Sequence, residues 1–211
     1  MSRYTGPRLR IIRRLGILSG LTSKEIKKRE QAPGPNISVP RDNIQEISTI
    51  KLYKDRLLEK QKLRFNYGIT EKQLISYFYE AKRRRGRTGE ILFEIIESRL
   101  DCIIFRLGLA TTIPTARQLI THGHILVNNK KVNIPSFICK VGDLINFNDK
   151  YLSLNTVIQK VRALKEINNV LPSHLSLNKD TLTGKILDIV NINNIVIPEI
   201  DEVKIVEYYL R

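Results

Sequence analysis

Residues 92–147 constrain what this chain can fold into more than any other stretch. Leu92, Ile95, Ile96, Leu100, Ile103, Ile104 and Leu107 recur at i, i+3, i+4 and i+7, the spacing of one helix with a single buried face. Gly108 is placed to end that helix. A second, shorter helix follows, with Thr112 as its cap, Pro114 tolerated in its first turn, and Ala116, Leu119 and Ile120 as its apolar stripe. Gly123 supplies the left-handed position that closes it. Residues 125–127 then read as a strand, Asn128-Asn129 as a turn, because asparagine tolerates positive φ, and 132–134 as the returning strand of a hairpin. Residues 141–147 read as a turn and a third strand. Helices set against a small sheet place the chain in the α+β class.

The polar residues that this burial leaves over are informative. Arg106, Arg117, Gln118, His122, His124, Asn128, Lys130 and Lys131 cluster around the second helix and the hairpin. Arginine forks match phosphate oxygens, and glutamine and asparagine can read base edges or sugar hydroxyls. A pair of short helices is a weak signal alone; joined to a basic hairpin it points to nucleic acid.

Charge sharpens this. The formal net charge is +15, and it is unevenly placed. Residues 1–30 carry nine Lys/Arg against two Glu, residues 51–90 twelve against five acids, and residues 99–165 ten against three, while residues 166–211 are mildly acidic. Separate cation-dense segments repel one another unless a polyanion neutralises them, and a nucleic-acid backbone does so with counterion release. A membrane surface fits less well, since the basic segments lack a Lys-rich amphipathic helix with Trp or Phe anchors. Nothing approaches a transmembrane length of apolar residues, and no secretory signal is visible.

Elsewhere, the first thirty residues, with Arg3, Tyr4, Arg8, Arg10, Arg13 and Arg14, read as a basic arm with short helical pieces. A Pro/Gly/Asn-rich loop follows. Residues 51–66 read as a helix stopped by Gly68. Thr70 and Gln73 form a capping-box pattern opening another helix, on which Leu74, Tyr77, Phe78 and Ala81 fall at helical spacing. That helix runs into Lys82, Arg83, Arg84, Arg85 and Arg87, more cations than a helix dipole needs, so phosphate contact is the better reading. A helix is expected from 152 to about 177, with a loop around Pro172. Residues 185–197 and 203–209, rich in β-branched side chains, read as strands, with a turn at Asn193-Asn194.

The motifs in this stretch resemble a known family. The string Ser98-Arg99-Leu100-Asp101, Phe105-Arg106-Leu107-Gly108, Ala116-Arg117-Gln118-Leu119-Ile120 and His122-Gly123-His124-Ile125-Leu126-Val127-Asn128 resembles the RNA-binding module named after small-subunit ribosomal protein S-four. The module also occurs in pseudouridine synthases and some aminoacyl-tRNA synthetases. The remainder resembles the ribosomal protein itself: Arg3-Tyr4-Thr5-Gly6-Pro7-Arg8, Arg13-Arg14-Leu15-Gly16, Glu59-Lys60-Gln61-Lys62-Leu63-Arg64 with Tyr67-Gly68, and Ile205-Val206-Glu207-Tyr208-Tyr209, in a chloroplast-type version. The resemblance implies a helical domain containing both termini with the RNA-binding domain inserted. The expected limits are 1–50 for the arm and loop, 51–98 plus about 200–211 for the helical domain, and 99–199 for the insertion, its core module at 99–160. It also implies direct binding to the 5′ domain of small-subunit ribosomal RNA early in assembly. A position beside ribosomal protein S-five, near the messenger entry channel, with influence on decoding accuracy, is implied too.

The chain departs from the family in places. Many bacterial members hold zinc on an N-terminal cysteine cluster, but no Cys precedes Cys102, so no metal and no other cofactor is expected. The hairpin turn carries Asn129 where glycine is usual, and the loop at 36–50 is nearly uncharged, which weakens an expected messenger contact. His122-x-His124 lacks a thiol or carboxylate to complete a metal set, and phosphate-facing or structural histidines fit better. Cys102 reads as core packing and, with Cys139, fits a reducing compartment. No catalytic grouping stands out, and an enzyme of the module's class would need a further domain. A free-standing RNA-binding regulator is the other reading; DNA binding lacks a dimerisation element. With no transit peptide visible and abundant Ile and Asn, synthesis inside a plastid is the expected location, a bacterial cytoplasm the alternative.

Overall fold

The structure, a computed structural model, describes residues 4, 6–23, 44–148, 171–178, 181–190 and 200–210. Its elements in chain order are α1 (Arg8–Leu15), α2 (Ile44–Asn66), α3 (Glu71–Arg83), α4 (Thr88–Glu97), α5 (Leu100–Arg106), α6 (Ile113–Thr121), β1 (Ile125–Val127), β2 (Lys130–Lys131), β3 (Leu144–Phe147), β4 (Leu175–Asn178), β5 (Thr183–Ile186) and α7 (Glu202–Tyr209). This is an α+β chain that divides into two compact units, Met1–Gly89 with Ile197–Arg211, and Glu90–Val196. Among the described residues no helix is long and apolar enough to cross a membrane.

The first unit is helical. Ile12, Leu15, Leu18 and Leu21 bury together against Leu58 and Phe65 of α2. Buried Asn66 accepts a hydrogen bond from the Gly20 amide at 3.0 Å, which satisfies a carbonyl that would otherwise be stranded. Thr70 caps α3 by accepting from the Gln73 amide, as its spacing predicts. α2 begins at Ile44, not at 51. Ile44, Ile47 and Ile50 are three residues apart, a helical spacing hidden in the sequence by the loop-like residues before it.

The segment 203–209 is a helix where the sequence suggests a strand. Propensity loses here to capping and packing. Asp201 accepts from the amides of Val203 and Lys204, satisfying the first turn. Ile205, Tyr208 and Tyr209 then share one face at i, i+3 and i+4, with Ile205 fully buried. Tyr209 donates to Glu71 at 2.9 Å and its ring lies 5.0 Å from that of Phe78. Lys60, itself buried, bonds Glu71 and sits 4.5 Å from the Tyr208 ring centroid. The C-terminal helix is thereby tied to α2 and α3.

In the second unit the continuous helix expected through residues 92–107 is broken into α4 and α5. Arg99 is extended (φ −70°, ψ 141°) and bridges to Ile138. The amides of Leu100 and Asp101 donate to the carbonyls of Phe137 and Pro135, and Cys139 donates to Ser98. Loop 135–139 therefore competes successfully for the backbone groups an unbroken helix would use. The apolar period survives the break, because both helices bury the same kind of face.

Among the described residues, five antiparallel strands form one sheet in the order β2-β1-β3-β5-β4. Leu100 and Ile104 of α5 and Leu107 just after it, with Ala116 and Ile120 of α6, pack on Ile125, Val127, Ile145, Phe147 and Ile186 from its inner face. The hairpin returns immediately after Asn129, pairing Val127 with Lys130 and Leu126 with Lys131, so the second strand is 130–131 and not 132–134. A two-residue turn with positive φ at both Asn128 (49°) and Asn129 (62°) matches the strand twist and leaves no intervening residues. Residues 175–177 are strand and not the end of a helix: Pro172 turns the chain, and Leu175 pairs with Ile186. The expected helix at 152–170, Arg3, and the turn at Asn193-Asn194 lie outside the described residues.

Among the described residues, two charged clusters lie inside this unit. Asp101, with no solvent exposure, accepts from Arg99 at 3.0 and 2.8 Å, from Arg117 at 2.7 Å and from the Cys102 amide at 3.0 Å. Glu97, equally buried on its side chain, accepts from Nε and Nη2 along one edge of the Arg106 guanidinium. His174 is buried beside that pair, and its pKa is lowered, by burial first, with Arg106 adding to the lowering while Glu97 and Asp188 oppose it.

Removing one partner from a buried pair strands the other charge. Asp101→Ala should therefore destabilise the second unit by about 3–5 kcal/mol, read from denaturant melts; a loss below about 1 kcal/mol contradicts this reading. His174 has a folded pKa below its unfolded value of 6.5, so below about pH 6.5 the unfolded chain binds more protons. Its contribution is whole above that pH and is lost as pH falls. The melting temperature should drop between about pH 7.5 and 5.5, and His174→Gln should flatten that dependence; a rise on acidification rules it out.

Candidate nucleic-acid interface

The expected contact residues fall on both units, and the two sets are described separately. In the first unit α1 buries Ile12 and Leu15 and thereby turns Arg8, Arg10 and Arg14 to solvent, with Arg13 half-buried. Tyr4 is exposed, its ring set edge-on against Phe65 at 5.4 Å. Lys82, Arg83, Arg84, Arg85 and Arg87 are all exposed at the C-terminal end of α3, where the helix dipole is negative. Arg84 is engaged by Glu80, so part of this charge is answered within the chain.

In the second unit the end of α6 and the hairpin converge. His122 closes α6 by donating its amide to Gln118, Gly123 turns the chain at φ +73°, and the His124 amide returns to Leu119 at 3.1 Å. This tight turn sets His122 beside His124 and brings both near Lys131. A Cβ on residue 123 would lie 2.0 Å from Lys131 Cε, so the end of the lysine stem rests on the turn; that tip can swing aside, and it is the positive φ that favours glycine here. The rings of His122 and His124 are 5.8 Å apart. The pKa of His124 is lowered, first by burial and then by His122 and Lys131. Gln118, His122, Lys130 and Lys131 are exposed and His124 half-buried.

Three of the expected contact residues are also engaged within the chain. Arg106 grips Glu97, and Arg117 directs Nε onto Asp101 with its side chain only 17% exposed. Asn128 donates from Nδ2 to Asp143 at 2.8 Å and accepts from the Leu144 amide at 2.9 Å, which locks the hairpin turn to β3. Sequence patterning does not single out two further exposed cations, Lys140 and Lys185. Strand alternation would have found Lys185, since it lies between the buried Gly184 and Ile186. Both cysteines are buried: burial pushes the Cys102 thiol well up and Cys139 up to about 12, so neither is a nucleophile near neutral pH. Among the described residues no group of three His, Cys, Asp or Glu could hold a metal ion. What remains on the second unit is a set of outward cations and amide groups suited to phosphate and sugar contacts.

Comparison with known proteins agrees with this geometry. Residues 98–145 match the model of the "S4 domain", and residues 3–97 that of the "Ribosomal protein S4/S9 N-terminal domain". The chain is 48% identical over 211 residues to the "Small ribosomal subunit protein uS4c" of Cyanophora paradoxa, covering 100% of both. It is 48% identical over 216 residues to that of Tupiella akineta, again covering 100% of both. It is 47% identical to the "Small ribosomal subunit protein uS4" of Thermosynechococcus vestitus, covering 100% of this chain and 99% of the relative.

The division between structural and outward residues can be measured by melting. Asn128→Ala removes two hydrogen bonds and puts alanine at positive φ, and should cost about 1–2 kcal/mol. Lys130→Ala, exposed on the same hairpin, should stay within about 0.5 kcal/mol of the parent. Equal losses in the two variants contradict the assignment.

Proposed function

The chain belongs to the uS4 family of small ribosomal subunit proteins, and from that premise we propose that it grips small-subunit ribosomal RNA through cations on both of its units. As a member of this family it is a structural constituent of the small subunit that binds ribosomal RNA, and not an enzyme. The observation that carries the reading is the α6–hairpin region: Gln118 on α6, His122 at its end and Lys130 and Lys131 on β2 are exposed, with His124 half-buried between the two elements. Arg8, Arg10, Arg14 and the exposed cations of residues 82–87 supply the second surface. Arg106, Arg117 and Asn128 act chiefly through the structure they hold. Contacts to phosphate and 2′-hydroxyl groups predominate, as expected where folded RNA is recognised by shape.

The finer role we assign is nucleation of assembly at a multi-helix junction in the 5′ domain, with a contribution to decoding accuracy near the messenger entry channel. Ribosomal protein S-five is the proposed protein neighbour. Exposed apolar side chains on the packed helices α2 and α7, among them Leu52, Tyr53 and Val203, offer contact area for a protein that phosphate would not use. Direct contact with messenger RNA is the lesser element, given a 36–50 segment with one Arg against one Asp and one Glu. A plastid ribosome is the proposed location, because uS4c relatives match over the full length; the cyanobacterial relative makes a bacterial ribosome the alternative.

Each neutralised phosphate contributes about 0.9 to the log–log salt slope on duplex and about 0.7 on single strands. Lys130→Ala and Arg85→Ala should each weaken binding to small-subunit ribosomal RNA and lower that slope by about one unit in a filter-binding titration. An unchanged slope for both removes the proposed contacts. In high-salt gradients the chain should co-sediment with small subunits; a wholly unbound pool favours a free-standing RNA-binding regulator.

A further inference from the structure

The outward face of α3 carries an aromatic ring that the phosphate contacts do not use. Burial of Leu74, Phe78 and Ala81 fixes the rotation of the helix. Lys72, Ser76, Tyr79 and Arg83 are thereby turned outward as one stripe, spaced i, i+4, i+7 and i+11. Tyr79 is 65% exposed, the most exposed aromatic side chain among the described residues. A single exposed ring is ordinary on a protein surface. Its surroundings are not. Exposed Lys82 and Arg83 follow at i+3 and i+4, the positions that neighbour it on a helix, and exposed Arg84, Arg85 and Arg87 come next. On its inner side the ring meets Phe78 edge-on at 6.1 Å, and Phe78 is itself buried against Tyr209. The ring is thus backed by the core of the first unit.

We propose that Tyr79 is a stacking platform for one unpaired nucleobase of the RNA, with Lys82 and Arg83 engaging the phosphates that flank that nucleotide. This inference rests on the RNA-binding reading above, and it adds a base contact to a recognition otherwise made on backbone and sugar. A phenol ring cannot neutralise a phosphate; what it offers an RNA is its face. Unpaired bases of folded RNA stack on such faces, and the contact tolerates any base because every base has a π-face. Stacking also takes out of water an apolar surface that the free protein leaves exposed. A protein neighbour would bury the ring too, but it would use apolar companions beside it. The residues that share the stripe are Lys72, Ser76 and Arg83, none of them apolar. One aromatic face set among cations complements a base carried on a phosphate chain.

The test uses the full chain and a transcript of the small-subunit RNA 5′ domain, titrated over a range of salt. Tyr79→Leu keeps apolar bulk and helix propensity but has no π-face, and it should weaken binding by about fivefold or more, the loss that removing one stacked base implies. Tyr79→Phe keeps the face and should bind within about twofold of the parent. Both variants should retain the parent's salt slope, where Arg85→Ala lowers it by about one unit. Full affinity in Tyr79→Leu, an equal loss in Tyr79→Phe, or a reduced slope in Tyr79→Leu overturns the stacking role while leaving RNA binding intact. If Tyr79→Leu binds the transcript as the parent does but fails to enter small subunits, the ring serves a protein neighbour and the proposal falls. Absence of binding by the parent chain overturns the RNA reading itself and the platform with it.

Discussion

Burying the Asp101 carboxylate would cost several kcal/mol if nothing answered it, and the second unit is arranged to answer it. Arg99 closes on both its oxygens, Arg117 reaches across from α6, and the Cys102 amide adds a fourth donor. These bonds tie together the break after α4, the start of α5 and the middle of α6. Loop 135–139 then completes the break by accepting from the amides of Leu100 and Asp101. Such a cluster does not stabilise more than a well-packed apolar one would. What it adds is position: with one buried carboxylate and two arginines there are few ways to set α6 against α5.

The outward platform inherits that position. Gln118 and His122 lie on α6 within two turns of Arg117, and the tight turn at Gly123 passes the register on to the hairpin. Asn128 fixes the other end of the hairpin by bonding Asp143 and the Leu144 amide. Cations that face solvent can thus be held in place without spending their charge on internal partners. Glu97 and Asp101 use Arg106 and Arg117, while Lys130 and Lys131 stay exposed. For a chain of net charge +15 this separation matters, because only charge left unanswered inside the protein attracts a polyanion.

Much of this was legible in the sequence where local physics decides the outcome. The caps at Thr70 and Thr112, the left-handed Gly123 and the Asn128-Asn129 turn each depend on a few neighbouring residues, and each forms as its chemistry dictates. The elements that differ are those decided by distant contacts. The helix break at Arg99 requires a loop thirty-odd residues onward, beyond any periodicity argument. The helical form of 203–209 depends on docking against α2 and α3, although Asp201 as a cap and the spacing of Ile205, Tyr208 and Tyr209 could have signalled it. The candidate site shows the same division. Composition marks the cations, but it does not tell Arg117, turned inward by Asp101, from Lys130, turned out. That distinction needs a buried carboxylate sixteen residues away in sequence.

On the proposed reading, RNA is held by cations of both units, on backbone and sugar and not mainly on bases. A hydroxyl-radical footprint of small-subunit ribosomal RNA bound to the full chain tests it most directly, since that probe reads the accessibility of the sugar–phosphate chain. The account predicts protection of separate backbone tracts converging on one junction of the 5′ domain. A footprint absent from that domain, or confined to a single short tract, would contradict it.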